Sequence, residues 1–195
     1  MREKSHELAI GGIFAAVFIV ISLLFVADVR AAQSIMQLLK VVTVAVYAGR
    51  ARKQYVPIFA VATICIGLML LPLNVSIIYN IPAMIYGIAL SWFITFKRRV
   101  WGCTCSFIVN SIVIVYEYLF LYLIIGQNMF VVTKDLLFSM SSNVHIAGGI
   151  VNLIKENIIA LTILFLLMDS LVSSVFVYYV TNMFCKRIGR FRENT

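Results

Sequence analysis

Charge is what this chain has least of. Only 12% of its 195 residues are charged, against 63% hydrophobic, whereas a soluble domain carries about 25% charged residues. So few charges cannot solvate a surface of ordinary size, and lipid is the expected solvent. Histidine is scarce too: His6 and His145 stand far apart, with no companions for metal or catalytic work. No phosphate-cradling glycine loop, no HExxH helix and no GxSxG elbow is present. An enzyme is therefore not expected, nor any cofactor or metal. The cysteines are Cys65, Cys103, Cys105 and Cys185. None falls on the expected outer face, so a structural disulfide is not expected and they read as small apolar fillers.

The few charges present are placed with order. Twelve of the 16 Lys and Arg fall in four clusters: Arg2 and Lys4; Arg50, Arg52 and Lys53; Lys97 to Arg99; and Lys186, Arg187, Arg190 and Arg192. They punctuate every second gap between long apolar runs. Cationic loops stay on the cytoplasmic face of a membrane. The pattern predicts an all-α integral membrane protein with six transmembrane helices in one bundle and both termini cytoplasmic. The +8 net charge is then topology and attraction to anionic inner-leaflet lipid, not nucleic-acid binding.

The expected spans are 7–27, 33–49, 55–71, 77–96, 101–125 and 156–185. The first run imitates a signal peptide, but about 20 apolar residues is span length, so it is kept as a mature helix. Residues 1–195 read as a single transmembrane domain, with turns at 28–32 and 72–76 and a long extracellular loop at 126–155. That loop is polar but carries Leu136, Leu137, Phe138 and Ile146, which suits a folded lid better than a free linker.

Three charges fall inside spans: Lys40, Glu117 and Asp169. Such groups usually face a cavity or a partner. Lys40 lies about 10 Å and Glu117 about 12 Å from the outer ends of their helices, at 1.5 Å per residue. A shared polar site and a plain ion pair between helices are both open at this point. Gln33, Gln37 and Lys40 share one helix face, which points to a cavity open outward; interhelical hydrogen bonding is the alternative. Asn74 and Asn80 lie at the outer end of the third and fourth helices, with Gln33 and Asn157 near the entry, and Tyr79, Tyr118 and Tyr122 are candidate aromatic walls or an interfacial belt. Asp169, followed by Ser170, Ser173 and Ser174, suits local hydrogen bonding better than ion binding. In the first helix, Gly11, Gly12, Ala15 and Ala16 give small-xxx-small pairs that permit close helix approach.

This layout resembles the substrate-binding S component of energy-coupling-factor transporters. Tyr47 to Arg52, Leu71 to Leu73, Ile81 to Gly87 and Lys97 to Arg99 are similar to the related YybS-type membrane family. The resemblance implies a bacterial plasma-membrane subunit that binds a small polar, vitamin-like micronutrient. It implies uptake energised by ABC-type ATPases through a transmembrane coupling protein. The substrate-binding set is then Gln33, Gln37, Lys40, Asn80, Glu117 and Asn157, and Gly12 and Ala16 would form the docking face. The competing expectation is a non-enzymatic scaffold or regulatory protein that docks partners through its basic cytoplasmic face.

Overall fold

A computed structural model describes residues 2–26, 33–126 and 157–187, and these are helical apart from short connections. Six helices follow in chain order: α1 (Arg2–Val26), α2 (Gln33–Arg50), α3 (Tyr55–Leu70), α4 (Leu73–Phe93), α5 (Arg99–Ile125) and α6 (Ile158–Arg187). The expected turn at 28–32, and nearly all of the expected loop at 126–155, lie outside the described residues.

Four helical segments are long and apolar enough to cross a membrane: Ser5–Val26, Leu73–Phe93, Arg99–Leu123 and Ala160–Arg187. Their outward faces carry large apolar side chains, among them Ile13, Val20, Leu119, Leu123, Phe165 and Phe176. Apolar surface on that scale is not left facing water, so the chain is a membrane-embedded helical protein. The other two helices fall short for different reasons. With 16 residues, α3 reaches about 24 Å at 1.5 Å per residue, below the ~30 Å hydrocarbon core. α2 is diluted by Gln33, Gln37, Lys40 and Arg50.

The packing explains why α2 tolerates that dilution. It touches α1, α4 and α6, and Lys40, Val41, Val42, Val44, Ala45, Val46 and Tyr47 are all buried. A helix enclosed by protein meets hydrogen-bond partners where a lipid-facing helix would meet none. Around it, α3 packs on α1, α4 on α5, and α5 on α6. On the other side of the α2–α4 contact, Ala83, Gly87 and Ser91 are buried at four-residue intervals. The backbones approach so closely at Gly87 that a Cβ there would lie 2.6 Å from the Val44 Cβ and 2.9 Å from the Val41 carbonyl.

α4 departs from the expected span of 77–96. Pro72 stands just before the helix with φ −55°, and the Ser76 N–H closes the first turn on the Pro72 carbonyl at 3.1 Å. The helix thus begins at Leu73, inside the expected turn. It ends at Phe93, where the Thr95 and Phe96 N–H groups close tighter turns on Trp92 and Phe93. The Lys97–Arg98 step connects to α5, which begins at Arg99. Gly126, at φ 69°, caps α5 in the left-handed conformation that glycine adopts at least cost.

Candidate functional site

The site begins with an irregularity in α4. Residues Ser76–Asn80 form a π turn, in which the Ile81 N–H reaches back five residues to the Ser76 carbonyl. Pro82 follows and has no N–H to return to this turn. Two carbonyls of the turn accept from other helices instead. The Gln37 amide of α2 donates to the Tyr79 carbonyl at 3.2 Å, and the Tyr116 hydroxyl of α5 donates to the Ile77 carbonyl at 3.4 Å. π turns of this kind recur at functional sites.

Asn80 ends the turn and is 3% exposed. Its Oδ1 accepts from the Lys40 ammonium at 3.1 Å and faces the Ser22 hydroxyl at 3.1 Å, so α1, α2 and α4 meet at one oxygen. Lys40 has no exposed surface. Its Nζ also lies 4.4 Å from the centre of the Phe25 ring, in cation–π range. Phe25 in turn packs on Tyr79, with ring centres 4.8 Å apart. The Asn80 Nδ2 is buried without a partner and faces α3, 3.7 Å from where a Cβ on Gly67 would lie.

Beside this knot, Gln37 donates to Glu117 Oε1 at 3.0 Å. Lys40 and Glu117 attract one another electrostatically, but no direct ion pair joins them among the described contacts. Each charge is instead held by an amide: Lys40 by Asn80 and Glu117 by Gln37. Gln37 Oε1 is buried with no hydrogen-bond partner.

A cavity of about 220 Å³ opens at this level. Phe25, Gln37, Tyr79, Asn110, Glu117 and Asp169 line it, one or more from each of α1, α2, α4, α5 and α6. Asn110 is fixed by donating to the Ser170 carbonyl at 3.1 Å, and Ser111 and Ser170 share a hydrogen bond at 2.9 Å. These contacts tie α5 to α6 and seat Asp169 beside Glu117. Tyr86 forms part of the floor, its hydroxyl paired with Ser106 at 2.8 Å.

The sequence-predicted set therefore divides. Gln37 and Glu117 line the cavity. Lys40 and Asn80 stand behind its wall and do not line it. Gln33 opens α2, but its side chain lies outside the described residues. Asn157 is exposed just ahead of α6 and is not part of the lining. Tyr79 is an aromatic wall, whereas Tyr118 and Tyr122 line a separate apolar groove of about 500 Å³ between α5 and α6. Gly12 and Ala16 are exposed and line an apolar groove of about 480 Å³ between α1 and α3. Ser22, Phe25 and Asn110 were not singled out from sequence. Asn110 was legible, because it stands seven residues before Glu117 and so on the same helix face.

Among the described residues, no group of three metal-ligating side chains is present, and Cys65, Cys103, Cys105 and Cys185 are free thiols. Fold and site together define a helical membrane protein with a small polar cavity among its helices. No protein-family model, curated protein or solved structure matches the chain.

Proposed function

We propose that this protein is the membrane-embedded substrate-binding subunit of an uptake system for a small polar, vitamin-like solute. In that reading it resembles the S components of energy-coupling-factor transporters. It would lie in a bacterial plasma membrane with six spans and both termini in the cytoplasm, α2 and α3 completing the set. It catalyses no reaction itself; ABC-type ATPases supply free energy through a transmembrane coupling protein.

One observation carries the reading: the 220 Å³ cavity lined by Gln37, Asn110, Glu117 and Asp169 inside a bundle whose outer surface is apolar. Polar groups are costly in a membrane interior and are usually retained for function. At roughly 30 Å³ per water, the cavity takes a molecule of about seven non-hydrogen atoms. Lys40 and Asn80 brace its wall. The α1–α3 groove with Gly12 and Ala16 at its surface supports a second element of the reading, a close-packed partner helix.

Native mass spectrometry of the gently purified protein tests this. A small molecule should be retained, and Gln37→Ala with Glu117→Ala should lose it. Protein that purifies empty and takes up no solute when its partner ATPases are supplied would refute the proposal. That result would favour the scaffold docked through the basic clusters.

A further inference from the structure

We infer that the solute carries a single positive charge on an organic ammonium or guanidinium group, and that Asp169 is the carboxylate that reads it. The inference rests on the substrate-binding reading above and names the class of substrate for the same cavity.

The charged side chains on and behind the cavity wall, among the described residues, are Glu117, Asp169 and Lys40. The two carboxylates face the cavity. The one cation does not: Lys40 has no exposed surface, hydrogen-bonds Asn80 and lies over Phe25. It offsets Glu117 from behind the wall. Asp169 is left as the uncompensated charge, with no hydrogen bond or ion pair to another described residue. It stands about 17 Å along α6 at 1.5 Å per residue, within the segment that is apolar enough to cross a membrane. A carboxylate at that depth requires a partner.

The rest of the lining narrows what that partner is. Phe25, Tyr79 and Tyr86 present aromatic rings to the same cavity. Carboxylate with aromatic rings is the combination that holds organic ammonium ions, through charge and cation–π attraction. Among the described residues, no three His, Cys, Asp or Glu side chains gather there as a transition metal would require. Among the described residues, the one ammonium near these two carboxylates is sealed behind the wall, which disfavours an anionic solute.

The test uses the full chain in lipid nanodiscs and three probes of matched shape. Choline is the cation, 3,3-dimethyl-1-butanol its neutral carbon isostere, and 3,3-dimethylbutyrate the anion. Choline should bind at least tenfold more tightly than either. Asp169→Asn should erase that preference, and because Asp169 is exposed at the cavity edge, the variant should keep the wild-type melting temperature. Failure of choline to bind, equal or tighter binding of the neutral or anionic probe, or a preference unchanged in Asp169→Asn would each overturn the charge assignment. Binding of the neutral or anionic probe alone would leave the solute-binding proposal standing. Failure of all three, with an empty cavity by native mass spectrometry, would overturn both.

Discussion

Gly87→Ala is the sharpest perturbation available in this fold. The new Cβ would meet the Val44 Cβ at 2.6 Å, Val44 Cγ1 at 2.7 Å and the Val41 carbonyl at 2.9 Å. Ordinary contact begins near 3.4 Å, so α2 and α4 must separate by about 0.8 Å. Backbone cannot yield as a side-chain tip does. Two effects oppose each other. Alanine is the better helix former by about 1 kcal/mol, while overpacking of a tight contact costs ~1–3 kcal/mol. Gly12→Ala separates them, because nothing lies within 4 Å of a Cβ at Gly12. Gly12→Ala should therefore be neutral or slightly stabilising, and Gly87→Ala should be less stable than it by ~1–3 kcal/mol.

The consequence reaches the site. Asn80 and Tyr79 lie about 10 Å along α4 from Gly87 at 1.5 Å per residue. Their bonds to Lys40 and Gln37, at 3.1 and 3.2 Å, leave little room before they exceed hydrogen-bonding distance. Unfolding in mixed micelles titrated with dodecyl sulfate measures the stability difference, and solute retention measures the site. Equal stability of the two variants would refute the claim that Gly87 sets the α2–α4 distance.

Other substitutions probe the polar knot in the same assay. Asn80→Leu strands the buried Lys40 ammonium and should cost at least ~1–3 kcal/mol, whereas Ser22→Ala, which leaves the Lys40 bond in place, should cost only about 0.6 kcal/mol; comparable losses from the two would show that Asn80 is not the anchor of Lys40. Lys40→Met and Glu117→Gln should each destabilise by leaving an uncompensated charge, and the double variant should recover part of the loss, with a coupling of ~0.5–3 kcal/mol. Strict additivity would show that the two charges do not communicate through Asn80 and Gln37.

Much of the helix layout was legible because helix boundaries are local events. Arg50 and Lys186 fall at helix ends and Lys97 in the connection between α4 and α5, and the apolar runs between them are long. α4 was misjudged by four residues at its start, since Pro72 reads equally as a turn residue and as the residue that precedes a first helical turn. The Ala83, Gly87 and Ser91 ribbon is also readable at its four-residue spacing, but spacing alone does not say which helix it meets. Four of the helices are long and apolar enough to cross a membrane; α3 is apolar but short and α2 is diluted by polar residues, and composition could not reveal that α2 sits at the centre.

By itself, then, the sequence determined a lipid-embedded helical chain and a polar stripe in the N-terminal half of α2. Helical periodicity places Gln37 and Lys40 on related faces whatever surrounds them. Which face meets which neighbour is a non-local matter. The close contact at Gly87, the π turn before Pro82 and the Ser22 hydroxyl together turned Lys40 toward Asn80 and away from the cavity. Only the tertiary structure could decide that, because the partners come from α1, α2 and α4 and their distances depend on how those helices pack. The same packing brought Asp169 beside Glu117 and made a cavity whose charge is read from its wall rather than from the residue that first drew attention.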